Sequence, residues 1–213
     1  MIKKCKILFI IVSLALTLSL MSNTYSRYVA NTTGNLDMVF ANWQILVNEE
    51  DILDGNSSSI QITPVLLQNE HIATNKVAPS TKGYFDINID PTNVDVSFTY
   101  QVSIDVLNEN IPDLLITKYA ILDHDYIEGD EIVMNTLNDN KLNGSLAFQN
   151  DIDNYSFEPF TIRIYFEWYD GEDKQMTDEE DSAIGLEAAV ENTTLQIATT
   201  IRFEQQVDEV ENI

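Results

Sequence analysis

Cysteine is nearly absent from this chain, and the absence excludes a good deal of chemistry. Cys5 is the only one among 213 residues. It sits in a basic leader, outside any lipid-attachment context, so the rest of the chain has no disulfide and no thiolate nucleophile. Histidine is scarce too: His71 and His124 lie far apart, and neither has a second histidine four residues away. No HExxH, CxxC or GxSxG occurs, so zinc hydrolysis and serine-triad catalysis lack their parts. Bases number 11 against 35 acids, a net charge of −24. That balance repels phosphate and disfavours nucleic acid as a partner. No internal repeat of roughly 20–50 residues is present. No catalytic constellation remains, and the chain reads as a non-enzyme.

What is present begins with an address. Lys3, Lys4 and Lys6 precede an uncharged apolar run from Ile7 to Met21, followed by small and polar residues. This is the pattern of a secretory signal peptide over residues 1–26, with Thr24 and Ser26 at the small-residue positions and a mature start near Arg27. The run is shorter than the roughly 20 residues of a helical membrane span. An uncleaved leader acting as a membrane anchor is the alternative. Removing the three lysines leaves eight bases against 35 acids, or −27. An exported, cysteine-free, acidic β protein with a lysine-rich leader suggests a bacterial source.

The strongest patterning runs from Lys76 to Val106. Phe85, Ile87 and Ile89 alternate with polar residues up to a break at Asp90-Pro91-Thr92-Asn93; then Val96, Phe98, Tyr100, Val102, Ile104 and Val106 alternate with Ser97, Thr99, Gln101, Ser103 and Asp105. Period-two alternation predicts a pair of strands with one dry face. No long amphipathic helix is available to cover that face, so a second sheet must, which makes an antiparallel β-sandwich. Phe160, Ile162, Ile164, Phe166 and Trp168 give a second strong inward set, with Thr161, Arg163 and Glu167 outward. Weaker strands are expected over 36–47, with a bulge at Ala41-Asn42, and over 60–67, where Pro64 implies an edge. Others are expected over 115–122, 126–134, 142–149 and 194–205. Thr177 and Glu180 have the capping-box spacing of one short helix in an acidic insert, running to about Val190. The sum is an all-β sandwich of eight or nine strands over 36–207, with a flexible arm at 27–35 and a tail at 208–213.

Three features invite a functional reading. Asp123-His124-Asp125 is a solvated turn in the plain reading and a metal site only if further ligands converge on it. The acidic runs 170–173 and 178–181 are solvated faces in the plain reading. A weak calcium site using Asp170, Glu172, Asp173, Asp178 and Asp181 is the alternative, although the spacing is not that of an EF-hand loop. Trp43 and Trp168 lie in phase with apolar strand faces, which favours core over a sugar-stacking platform.

The leader end Asn23-Thr24-Tyr25-Ser26-Arg27-Tyr28 resembles the signal peptides handled by SipW-type signal peptidases. Ala41-Asn42-Trp43-Gln44-Ile45, then Val77-Ala78-Pro79-Ser80, Gly83 and the strand to Ile89, resemble the core of the TasA/camelysin group of exported Firmicutes proteins. Trp168, Asp181-Ser182-Ala183-Ile184-Gly185 and Phe203-Glu204-Gln205 are similar to other relatives of that group. The turn often written Pro-Gly in that group is Pro79-Ser80 here. The resemblance implies a jelly-roll sandwich, exported and assembled into biofilm-matrix fibres by donation of an N-terminal strand to the next copy. The metalloprotease label of camelysins finds no ligand set in this chain.

The physics of such a polymer is finely balanced. Ladder hydrogen bonds contribute about 1 kcal/mol each, largely offset by ordering the donor at about 1–2 kcal/mol per residue. Anchoring side chains must therefore decide, at about 1.5–3 kcal/mol for each one buried. Tyr28 and Val29 are the sizeable anchors in the arm, and Met38 and Phe40 extend the set if the donor strand continues. A charge of −27 opposes association, and screening reaches about 8 Å at physiological salt. Acid or divalent cations are therefore expected to promote assembly. The alternative function is a monomeric surface module that binds glycan or a host protein through loops 49–59 and 123–131.

Overall fold

The computed structural model describes residues 11–17, 39–52, 62–108, 110–191 and 194–207. The chain divides into two compact units, 1–40 and 41–213. In the first, residues 11–17 form a helix, α1. Among the described residues no helix is long and apolar enough to cross a membrane.

The second unit is an all-β, two-layer antiparallel sandwich. Its strands are β1 (Trp43–Val47), β2 (Glu50–Asp51), β3 (Val65–Leu66), β4 (Lys82–Val94), β5 (Phe98–Val106), β6 (Leu114–Asp123), β7 (Asn135–Thr136), β8 (Lys141–Leu146), β9 (Phe160–Trp168) and β10 (Ile197–Gln205). A helix, α2 (Asp178–Glu191), lies between the last two. The larger sheet runs β2-β1-β4-β9-β6-β7, with β3 pairing beside β1 on β4, and the smaller runs β10-β5-β8. Among the described residues there are ten strands where eight or nine were expected: β3 is what remains of the strand expected over 60–67, while β2 and β7 are two-residue pieces too short to leave a periodic signature.

The two strongest patterns supply the core as alternation requires. Phe85, Ile87 and Ile89 of β4 are buried, as are Phe98, Tyr100, Val102 and Ile104 of β5 and the whole inward set of β9. Phe98 is the hub, edge-on to Trp43 and Phe157 at 5.9 and 5.2 Å between ring centroids. Both tryptophans belong to this core: Trp168 is buried and Trp43 packs on it. A Cβ at Gly144 of β8 would lie 2.1 Å from the Tyr100 ring, so that strand passes too close for a side chain there.

Three expectations are corrected. The two halves of 76–106 do not pair with each other; β4 and β5 lie in opposite layers, and each pairs with a strand remote in sequence. β4 also runs through Pro91 instead of breaking there. Gln44 pairs with Asn93 and Leu46 with Asp90, so Pro91 and Thr92 together oppose Ile45 as a bulge. Proline fits at a bulge because no ladder hydrogen bond needs its missing N–H. The irregularity foreseen at Ala41-Asn42 therefore falls opposite Ile45. Finally, 126–134 is not a strand. Asp130 closes a turn onto Ile127 through both backbone and side chain, and Gly129 has φ +109°. Those bonds use the groups that a ladder would need.

Candidate functional site

The smaller sheet is too narrow to cover the larger, and the shortfall is clearest at β10. Gln196 C=O accepts from Leu107 N–H, and Gln206 N–H donates to Ser97 C=O. Strand alternation between those two points turns the even-numbered residues of β10 toward β5. Ile197, Thr199, Ile201, Phe203 and Gln205 then present N–H and C=O at the outer edge, since β10 ends its sheet among the described residues.

Ile197, Ile201 and Phe203 of this set pack against the core, yet none of the three is buried. On the neighbouring β5, by contrast, every core-facing residue from Phe98 to Ile104 is 5% exposed or less. Beside β10 a groove of about 850 Å³ opens between the layers. Phe85 and Phe166 reach it from β4 and β9, while Ile62, Leu66, Leu195 and Ile197 line its sides. A row of backbone groups with no strand partner among the described residues, beside a groove with an aromatic floor and polar residues on its rim, is suited to receive one extended segment, with alternate side chains entering the groove.

Of the anchors foreseen for that role, Tyr28, Val29 and Met38 lie outside the described residues. Phe40 is 95% exposed, and Val39 beside it is exposed as well. A large apolar pair is thus left uncovered immediately before the compact unit begins at Ala41.

The other foreseen sites resolve into internal pairing. Lys174 Nζ stands among Asp170 Oδ1 (2.8 Å), Asp178 Oδ1 (2.6 Å) and Asp181 Oδ2 (3.2 Å), so three of the five carboxylates named for calcium surround a lysine ammonium instead. Glu172 and Asp173 are exposed outside this node. Donation to Asp170, then to Asp178, holds the lysine well above its ordinary range. His124 Nδ1 meets Glu158 Oε2 at 2.6 Å. Among the described residues no group of three or more histidine, cysteine, aspartate or glutamate side chains is placed to hold a metal.

Two constellations had no legible signal. Arg163 points to the outer face of the larger sheet, as expected, yet is 6% exposed. It holds both oxygens of Asp86 at 2.8 Å, and Glu128 approaches at 3.5 Å. The Tyr84 ring lies 4.0 Å from the guanidinium carbon and Tyr126 packs further out. These contacts hold loop 123–131 against the sheet beside a concavity of about 430 Å³. Asp113 is buried and accepts the backbone N–H groups of Gln175 and Met176, both at 2.7 Å.

α2 carries no fully buried residue; Ile184 packs half-buried on the core, and Asp181 meets Lys174. Thr177 caps it as foreseen: its hydroxyl accepts from Glu180 N–H while Glu180 accepts from Thr177 N–H at 2.7 Å. Those bonds from the Thr177 backbone and hydroxyl lower the Glu180 carboxyl, and Lys174 with Ser80 lowers that of Asp170. A carboxyl depressed in the folded state stabilises it above the unfolded carboxylate range, about pH 4, and that support is lost as pH falls through the folded value. Far-ultraviolet circular dichroism should therefore show α2 melting below about pH 4, ahead of the near-ultraviolet signal of the aromatic core. A helical signal constant to about pH 2 is the contrary result.

No family model matches this chain, and no curated protein matches it.

Proposed function

We propose that this chain is a secreted structural subunit of a cell-surface or biofilm-matrix fibre. The leader directs export through a SipW-type signal peptidase, and the segment from Arg27 toward Phe40 of one copy adds as a strand to β10 of the next. The observation that carries this reading is the half-covered core face of β10 beside its apolar groove. The exposed Val39 and Phe40 give it a complementary donor. Resemblance to the TasA/camelysin group points the same way, and the partner is a second copy of the chain.

Assembly is conditional in this reading. Apolar anchors entering the groove favour it by about 1.5–3 kcal/mol each, while copies near −27 repel one another until acid or a divalent cation reduces the charge.

Electron microscopy and light scattering of the chain beginning at Arg27 test it. Filaments should form as pH falls from about 7 toward about 4, or on addition of calcium. Deleting 27–35 should abolish them, and so should Ile201→Pro, which removes one free-edge N–H at a position where proline is tolerated. Filaments that survive both changes, or a chain that stays monomeric under every condition, would overturn the proposal.

A further inference from the structure

The sandwich has a second opening on its opposite flank. β6 pairs with β9 along its length, but on its other side, among the described residues, it pairs only with β7, at Lys118 and Tyr119. Leu137 N–H donates to Thr117 C=O at 2.7 Å, which places Thr117 outward. Alternation then directs the N–H and C=O of Tyr119, which Asn135 of β7 meets, and of Ile121 to the same side. Among the described residues no strand pairs with Ile121 there.

Inward of this edge a groove of about 590 Å³ separates β6 from β8. Ile121 and Leu146 stand on its two sides, with Tyr155, Phe157 and Phe160 also lining it. Ile121 is 44% exposed although it lies on a core-facing register opposite buried Ile162. The connection that follows β6 leaves Ile127, Val133 and Met134 exposed as well. The groove's charged residues are acidic: Asp123, Asp125 and Glu158, with His124 already engaged by Glu158.

We propose that this β6–β8 seam docks an extended segment of a different, cationic protein, in which apolar and basic residues alternate. The N–H and C=O of Ile121, next in line after the β7 pairing, call for an extended segment and not a helix. The aromatic lining takes its apolar side chains, and the three carboxylates take the basic ones. The chain's own arm fits poorly, because 27–40 carries Arg27 as its single base together with Asp37. A copy near −27 is also repelled. The seam is separate from β10 and does not depend on filament formation.

The test uses fluorescence anisotropy of the intact chain with a labelled heptapeptide alternating lysine and valine. Two control peptides are the same residues in one lysine block and one valine block, and the alternation with glutamate in place of lysine. The alternating lysine peptide should bind at least about tenfold more tightly than either control. Ile121→Pro, at an edge position where proline is tolerated, should weaken it by at least about tenfold, and Asp125→Lys, at an exposed residue, by a smaller factor. Ile201→Pro should leave peptide binding unchanged, while Ile121→Pro should leave filament formation unchanged. Circular dichroism checks that each variant is folded, and Asp125→Lys serves if Ile121→Pro is not. Equal binding of the blocked peptide, loss of binding with Ile201→Pro, no binding to the parent chain, or indifference to the β6-side variants would each overturn the proposal.

Discussion

Asp113→Ala should lower the stability of the sandwich by about 3–5 kcal/mol, read as a fall in the urea midpoint. Asp113 sits at the turn into β6, is 2% exposed, and spends both carboxylate oxygens on backbone N–H groups of the β9–α2 connection. Its own C=O accepts from Tyr169 N–H at 2.8 Å, so the same residue grips that connection at two points. A hydrogen bond to a charged group is worth about 1.5–3 kcal/mol, and alanine leaves two donors without an acceptor in a place water reaches poorly. Met176, which donates one of these bonds, is itself buried against the core, so the segment cannot swing into solvent without uncovering apolar surface. Asp113→Asn should fall between the two, because the amide oxygen satisfies one N–H while its NH2 faces the other. An alanine variant within about 0.5 kcal/mol of the parent would show that the connection rests on Met176 packing alone.

The sandwich was legible because its strongest strands are half-buried ladders, and period-two alternation reports burial directly. Phe85 to Ile89, Phe98 to Ile104 and Phe160 to Trp168 all met the interior as the pattern required. Pairing was not legible, since alternation says which face is dry and nothing about the neighbour. Hence the adjacent halves of 76–106 were matched to each other when they belong to opposite layers. Pro91 misled for a related reason: proline forbids a ladder hydrogen bond, but a bulge supplies a place where none is needed. The β10 groove was legible only as a principle, that an open sandwich has edges. Its location depends on the even-odd phase set by Gln196 and Gln206, which no composition reveals. Lys174 shows the same limit for charge, because a run of aspartates looks alike whether it gathers calcium or a lysine four residues away.

Arg163→Met should destabilise the chain by about 2–4 kcal/mol and loosen loop 123–131. Breaking a fully buried ion pair from one side costs about 3–5 kcal/mol, because the surviving charge is left without a counterion. Here the Asp86 side chain retains 32% exposure, so water recovers part of that loss and the lower figure follows. Methionine keeps much of the arginine's apolar stem against the Tyr84 ring but gives up the cation–π contact and both hydrogen bonds to Asp86. Asp86→Asn in the same chain should restore part of the stability, since a neutral amide beside methionine carries no unpaired charge. The double-mutant cycle should return a coupling of about 1–3 kcal/mol. Glu128 and Tyr126 reach Arg163 only from loop 123–131, so amide exchange in that loop should speed up more in Arg163→Met than in the strands around it. Exchange raised equally in β4, β6 and β9 would instead mean that the guanidinium braces the sheet, with the loop merely resting on it.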